Sequence, residues 1–220
     1  MKLVQHKLII LLVSIFAISI QCIIGQVVSS ETIKRDITAF STDSLSENYY
    51  VRVKNIFETD ESELTEFHFY LLYYGQGVKP NKLYPSLFLN SDRMQLKRLV
   101  NNRNYRRAIS LAEKLVEINP LDITTLIYLA MSIDMRTGEK ENKYYRRMRN
   151  LLTEILKTGD GKSPETAIKI AEIEDDTALL GFTGFRGISK QREEINGKNY
   201  SVWVDRFGDK FYFEYVFVFL

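Results

Sequence analysis

Cysteine and histidine are nearly absent from this sequence of 220 residues, which contains one cysteine and two histidines. Cys22 and His6 both lie in an apolar N-terminal segment, so a chain without that segment has no cysteine and only His68. Such a chain has no thiolate nucleophile and can form neither a disulfide nor a Cys/His zinc site. A Ser-His-Asp triad would have to use His68, which lies between Phe67 and Phe69 and is interpreted as a packing residue.

The N-terminal segment, residues 1–25, predicts export. It begins with Lys2 and Lys7 and continues with an uninterrupted apolar run, the pattern of a cleaved signal peptide. The alternative is an uncleaved membrane anchor, but the apolar run is shorter than the roughly 20 residues that span a bilayer. Gln21 disfavours lipidation of Cys22, because bacterial lipoprotein signals carry a small residue there. We expect a periplasmic or secreted protein with no membrane span after cleavage.

Positive charge is concentrated in the middle of the chain. The whole sequence has 30 basic and 28 acidic residues, and loss of Lys2 and Lys7 makes these numbers equal. Residues 93–149 nevertheless contain 13 basic and 6 acidic side chains. This asymmetry indicates either solvated helix faces or a site for an acidic partner. Export argues against nucleic acid as that partner.

Residues 26–90 predict a helical hairpin followed by a loop. Ser30 is a candidate cap for a first short helix. Apolar residues from Tyr50 to Phe57 recur at helical spacing, and a second apolar helix follows a polar turn and ends at Gly75. Residues 76–85 contain glycine and two prolines, which predicts a loop.

Residues 91–158 predict four helices. In "NYRRAISLAEKLVEINP", residues 104–120, Pro120 ends a helix whose small Ala108 and Ala112 permit close approach of a neighbour. Its inward residues are Ala108, Leu111, Ala112, Leu115 and Ile118. The pattern resembles the second helix of a tetratricopeptide (TPR) hairpin, and the neighbouring segments complete about two such hairpins. Arrays need about three repeats, so flanking segments must complete this core.

Residues 159–220 predict a small antiparallel sheet. "AIKIAEI" alternates like a strand, "DDTALLGFTGF" reads as a short helix, and two alternating runs surround Gly208. An Asn196-Gly197 turn could add a third strand over residues 188–196. One strand face carries aromatic side chains that we expect the helices to cover, namely Phe211, Phe213, Tyr215, Phe217 and Phe219. The predicted fold class is therefore α+β and mostly helical, with residues 26–220 forming one domain.

Two motifs and the order of elements resemble those of a known family. Leu-Tyr-Tyr-Gly at 72–75 ends a predicted helix, and Gly-Asp-Gly-Lys-Ser-Pro-Glu-Thr occupies 159–166. With the TPR-like helices between them, these motifs resemble an uncharacterised family of exported bacterial proteins, catalogued as a domain of unknown function. The resemblance spans most of the chain after the N-terminal segment and implies a helical region with a C-terminal sheet. It implies no activity, cofactor or site residue.

Two motifs invite a catalytic interpretation. "GDGKS" lacks the glycine of a phosphate-binding loop, since Leu156 occupies that position, and is interpreted as a polar turn capped by Ser163. Clustered carboxylates remain, at Glu61, Glu63, Glu66, Glu174, Asp175, Asp176, Glu193 and Glu194. A glycosidase needs two carboxyl groups about 5–9.5 Å apart across a cleft, and sequence spacing does not reveal such a pair. We interpret these residues as caps and surface, and predict no catalytic residue, metal or cofactor.

A binding site is the stronger prediction. Arg103, Arg106 and Arg107 could face a second arginine group across the stacked helices, at Arg146, Arg147 and Arg149. Guanidinium groups bind carboxylates and phosphates. Tyr73 and Tyr74 combine an apolar ring with a hydrogen-bonding hydroxyl, which suits either an interface or core packing. We predict a non-enzymatic interaction protein of the cell envelope that binds an acidic protein surface. The alternatives are a periplasmic immunity protein that neutralises a delivered toxin and a carboxylate-dependent hydrolase acting on glycans.

Overall fold

The computed structural model describes residues 28–76 and 91–217 of the chain. The predicted signal peptide, most of the predicted loop at 76–85 and Phe219 lie outside these ranges. Among the described residues, no helix is both long and apolar enough to cross a membrane. A mostly helical body precedes a small C-terminal sheet, which confirms the predicted fold class.

The N-terminal part contains three helices and a short 3-10 turn. They are α1 (Ser30–Thr42), α2 (Tyr50–Thr59), the turn (Glu61–Glu63) and α3 (Glu66–Gly75). The cap of α1 is Ser29, whose hydroxyl oxygen accepts a hydrogen bond from the Thr32 amide at 3.1 Å. Ser30 begins the helix instead, and its buried hydroxyl donates to Glu214 of the sheet. The predicted α2–α3 hairpin and its polar turn are confirmed.

The central part contains the four predicted helices. They are α4 (Ser91–Asn101), α5 (Tyr105–Ile118), α6 (Ile123–Thr137) and α7 (Lys143–Leu156). Asp122 and Asn142 accept hydrogen bonds from the first-turn amides of α6 and α7, and Gly138 ends α6 in the left-handed conformation, with φ of 75°. The predicted inward faces are largely buried. Ile118 is an exception with 45% of its surface exposed, because α5 ends at this residue.

Other parts of the chain complete the TPR-like stack. The helices α4 to α7 pack as consecutive hairpins, and α4 also contacts α6. The helix α3 packs on α7, while α8 (Asp175–Thr183) packs on α6. The helix α6 has neighbours on several sides, and its residues are accordingly apolar around most of the helix circumference. The flanking segments therefore cover surfaces that a further repeat would cover, as the short array requires.

The C-terminal sheet has four strands and is mixed. They are β1 (Ile168–Ile170), β2 (Ser189–Ile195), β3 (Lys198–Val204) and β4 (Lys210–Tyr215), in the spatial order β1-β4-β3-β2. The pairs β2–β3 and β3–β4 are antiparallel hairpins, as predicted, and β2 occupies the polar segment 188–196. The edge strand β1 pairs with β4 in parallel, because the chain crosses over through α8 before it enters β2.

The helices cover the aromatic face of the sheet. Phe211, Phe213 and Tyr215 are buried in the main core, and Phe217 packs partly against it. Internal coverage is thus confirmed for these described residues. The opposite face carries a smaller apolar cluster that includes Tyr200.

The Gly-Asp-Gly motif is a tight connection between α7 and β1. Gly161 has φ of 71°, its amide donates to the Thr166 carbonyl at 2.8 Å, and its carbonyl accepts from the Tyr212 amide at 2.8 Å. A Cβ atom at Gly161 would lie 2.3 Å from the Phe211 ring. At Gly159 it would lie 2.3 Å from the carbonyl oxygen of Thr166. Packing and backbone geometry therefore account for both glycines, in agreement with the polar-turn interpretation.

Candidate functional site

The predicted arginines 103, 106 and 107 lie at one end of the α4–α5 hairpin. Arg103 occupies the connecting turn with φ of 59°, and Arg106 and Arg107 lie in the first turn of α5. All three side chains are exposed. Lys97 and Arg98, in the last turns of α4, are exposed at the same end. We call these five residues, Lys97, Arg98, Arg103, Arg106 and Arg107, the basic tip.

The basic tip has no internal charge compensation. Within the described ranges, none of its five side chains forms an ion pair. The sequence contains no acidic residue between Arg93 and Ala112, a signal that could have added Lys97 and Arg98 to the predicted set. The α5 N-terminus has the positive end of the helix dipole, and its N-cap Asn104 makes no side-chain capping bond. Positive charge therefore accumulates at this end of the hairpin.

The second arginine group is engaged within the protein. Arg147 pairs with Glu61 of the 3-10 turn at 2.8 Å, and its guanidinium carbon lies 4.4 Å from the centre of the Phe57 ring. Arg149 pairs with Glu141 at 3.7 Å, and Arg146 donates to the Glu141 carbonyl at 2.6 Å. Arg147 thus joins α7 to the N-terminal hairpin. These three arginines therefore differ from the basic tip. Arg147 and Arg149 have acidic partners, and Arg146 has a backbone partner.

Tyr73 and Tyr74 do not contribute to a binding surface, which corrects the prediction for these two residues. Both side chains have 0% exposure. The Tyr73 hydroxyl donates to Asp175 at 2.6 Å, and the Tyr74 hydroxyl donates to the Lys169 carbonyl at 2.9 Å. The apolar and aromatic residues of α3 were compatible with either an interface or core packing, and the structure encloses the whole end of this helix. Their hydroxyl groups join α3 to the C-terminal part.

His68 is a capping residue of α3. Its Nδ1 accepts a hydrogen bond from the Thr65 amide at 3.1 Å, and its Nε2 lies 3.0 Å from the Asn48 side-chain oxygen. Nδ1 must be unprotonated to accept, so Nε2 carries the proton. Burial lowers the pKa of His68, which favours this neutral form. The packing interpretation holds, with a capping bond in addition.

Two carboxylates at the start of α8 are buried rather than solvated. Asp176 has 0% exposure, pairs with Lys190 at 2.9 Å and accepts hydrogen bonds from Ser201 and from the Trp203 indole. Asp175 accepts from Tyr73 and is also buried. The interpretation of this cluster as surface was therefore wrong for both residues. Within the described ranges, no group of three or more His, Cys, Asp or Glu side chains is placed to hold a metal ion.

Asp175 gives the protein a specific pH dependence. Burial, reinforced by the nearby Asp122 and Glu172 and opposed by Tyr73 and Arg93, raises the pKa of Asp175 to about 8. Its unfolded pKa is about 3.9, so folding favours the protonated form, and this contribution to stability is lost as pH rises through 8.

Asp175→Asn should therefore increase the free energy of unfolding relative to the parent as pH rises from 4 to 9, by on the order of 3–5 kcal/mol. Urea unfolding at several pH values measures this difference. Glu63→Gln, which removes one exposed carboxylate, is the charge-matched control. A difference between parent and Asp175→Asn that does not change with pH would contradict the prediction.

A pocket lies at the end of the sheet where β4 finishes. It has a volume of about 300 Å³, and its lining includes Ile173, Arg192, Glu194, Asn199, Tyr215 and Phe217. Arg192 and Glu194 are on the edge strand β2, and Asn199 lies opposite Glu194 on β3. The sequence did not predict this pocket, because it depends on the register of three strands and on the crossover at Ile173.

The comparisons with known proteins give a family but no activity. No curated protein and no solved structure matches the chain. One family, described as a domain of unknown function (DUF4919), matches residues 31–214. This range includes every described helix from α2 to α8 and nearly all of α1 and β4. The match confirms the resemblance found in the sequence motifs, and the chain belongs to this DUF4919 family.

Proposed function

We propose that this protein is a non-enzymatic interaction protein of the cell envelope, and that its basic tip binds an acidic surface of a partner protein. The observation that supports this proposal is the set of five exposed cations without an ion pair in the described structure. The α7 arginines differ, since Arg147 and Arg149 have acidic partners and Arg146 donates to a carbonyl, whereas five neighbouring cations lie together at the tip. The N-terminal signal pattern supports the envelope location.

The electrostatics of the tip favour an anionic partner. Arg106 and Arg107 lie at the N-terminus of α5, where the helix dipole opposes positive side chains. A partner carboxylate would reduce this repulsion and could form bidentate bonds with a guanidinium group. Because the tip is exposed, such binding would be screened by salt and would act mainly on the association rate.

A local site fits this fold better than a long peptide groove. In the described structure, α8 covers part of α6, the central helix of the TPR-like stack. The α4–α5 end lies in a different part of the stack from α3, which packs on α7. The partner would therefore contact the tip of one hairpin.

The test is affinity capture with a tagged chain that starts at Gln26, using native envelope extract at low and high salt. A captured partner is identified, purified and titrated against the parent and against an Arg103→Gln, Arg106→Gln, Arg107→Gln variant. We expect roughly tenfold weaker binding by the variant at low salt, since each exposed ion pair contributes about 0.5 kcal/mol. The parent should also lose affinity as salt increases.

A second triple variant controls for the loss of three positive charges. Lys140→Gln, Arg146→Gln and Arg149→Gln remove the same charge from exposed positions near and within α7. We expect this control to retain parental affinity. Equal losses in the two triple variants, or binding that does not respond to salt, would overturn the proposal.

A further inference from the structure

We propose that the pocket at the end of the sheet is a carbohydrate-binding site that takes a neutral ligand of about one or two sugar rings, with Arg192, Glu194 and Asn199 bonding its hydroxyl groups. This inference concerns a different surface from the basic tip. It does not depend on the proposed protein partner.

The three polar side chains converge on one face of the sheet. Arg192 and Glu194 are two residues apart on β2, so they point to the same face. Asn199 is paired with Glu194 across the β2–β3 ladder and shares that face. A guanidinium, a carboxylate and a carboxamide are thus held beside one pocket by paired strands. Each is planar and offers at least two polar atoms, which suits adjacent hydroxyl groups of a sugar.

These side chains are not used elsewhere in the described structure. None of the three forms an ion pair or a side-chain hydrogen bond with another described residue. Glu193 also lines the pocket, but its side chain points to the other face and pairs with Lys210 at 2.9 Å. The polar groups of the pocket are therefore available to a ligand.

The inner wall of the pocket is apolar and fixed. Tyr215 is 9% exposed, and Ile173 and Phe217 complete this wall. The Tyr215 hydroxyl is buried and has no hydrogen-bond partner among the described residues, although a buried unsatisfied hydroxyl costs about 1–3 kcal/mol. Of the three described side-chain atoms in this condition, only this one belongs to a residue that lines the pocket.

The charges of the pocket favour a neutral ligand over an ion. The lining has one cation, Arg192, and two carboxylates, Glu193 and Glu194. Lys210 compensates Glu193, while Arg192 and Glu194 are exposed, so their fields partly cancel and are screened by water. A purely ionic ligand would gain little from them. A sugar combines an apolar CH face, which packs on aromatic and aliphatic walls, with hydroxyl groups that both donate and accept hydrogen bonds.

The test is an NMR titration of the ¹⁵N-labelled chain from Gln26 onward. The probes are glucose, galactose, mannose, N-acetylglucosamine and maltose at millimolar concentrations, with glycylglycine as a zwitterionic comparison. We expect at least one sugar to give saturable shifts at Arg192, Glu194 and Asn199. Arg192→Ala and Asn199→Ala should each weaken its binding about fivefold to tenfold, the effect of losing one or two hydrogen bonds.

Gln191→Ala is the matched control for these truncations. Gln191 is a polar residue of the same strand that does not line the pocket. Its side chain bonds Glu193, which stays paired with Lys210 when Gln191 is truncated. We expect this variant to bind the sugar like the parent. The proposal is overturned if none of the five sugars gives a saturable shift at the pocket, or if glycylglycine alone does so. It is also overturned if Gln191→Ala weakens binding as much as Asn199→Ala.

Discussion

Asp176→Ala should lower the free energy of unfolding by about 3–5 kcal/mol, the range for breaking a buried ion pair. The Asp176 carboxylate is fully buried at the start of α8 and has three partners from the sheet. Lys190 lies 2.9 Å away on β2, the Trp203 indole donates to it at 2.9 Å from β3, and the Ser201 hydroxyl donates to it as well. Alanine would leave Lys190 with the more distant Glu174, at 3.9 Å, and would leave the Trp203 and Ser201 donors without this acceptor.

The fluorescence of Trp203 is a direct reporter for this experiment, because the chain contains one tryptophan. Urea unfolding followed by fluorescence and by circular dichroism gives the free energy and tests whether the transition is cooperative. Asp176→Asn is the matched variant, since it keeps an acceptor for Trp203 and Ser201 but removes the charge. We expect Asp176→Asn to lower the free energy of unfolding less than Asp176→Ala does. A change of less than about 1 kcal/mol for Asp176→Ala would show that the network contributes little to stability.

The helices could be predicted from the sequence because their signals are local. Apolar spacing in residues 104–120, Pro120 and Gly138 together locate the ends of α5 and α6 within a short stretch of chain. The Asn196-Gly197 turn likewise locates the β2–β3 hairpin. The parallel pairing of β1 was not predictable in this way. That strand has three residues, and its partner β4 is far along the chain.

The burial and the ion-pair partners of the charged residues could not be predicted from the local sequence pattern. Asp175 and Asp176 read as surface because acidic residues at a helix start are usually solvated caps. Both are buried here because α8 packs on α6 and against the sheet, so their partners come from other elements. The arginine groups show the same limit. Arg103 and Arg147 were assigned to the same predicted site, but of these two only Arg147 pairs with an acidic side chain among the described residues.

On the face of the sheet that points away from the main core, we expect Glu214→Leu to cause the largest loss in the free energy of unfolding. Glu214 is 2% exposed and receives Lys169 at 3.3 Å, Lys198 at 3.1 Å and the Ser30 hydroxyl. It therefore joins β1, β3 and the start of α1 to β4. Its loss leaves the ammonium group of Lys169, which is equally buried, with the Ala167 carbonyl at 2.7 Å as its one hydrogen-bond partner in the described ranges. We expect a destabilisation of about 3–5 kcal/mol.

A double-mutant cycle separates the interaction energy of the Lys169–Glu214 pair from the packing contribution of each side chain. Lys169→Met removes the buried cation, so the double variant Lys169→Met, Glu214→Leu should be more stable than Glu214→Leu alone, by about 2 kcal/mol. Additive effects of the two substitutions would mean that the buried groups are not energetically coupled. Arg35→Leu, Asp36→Leu is the comparison pair, because Arg35 is mostly exposed and its ion pair should show little coupling.

The pH dependence of these variants gives a second and independent readout. Burial lowers the pKa of Lys169 even with Glu214 present, and removal of Glu214 should lower it further. The unfolded chain then binds more protons than the folded chain at pH values between the two pKa values, so stability rises with pH. Glu214→Leu should therefore recover stability, relative to the parent, as pH rises toward the unfolded pKa of lysine, about 10.4. The double variant lacks Lys169 and should not show this recovery. If both variants respond equally to pH, Lys169 is not the group that Glu214 stabilises.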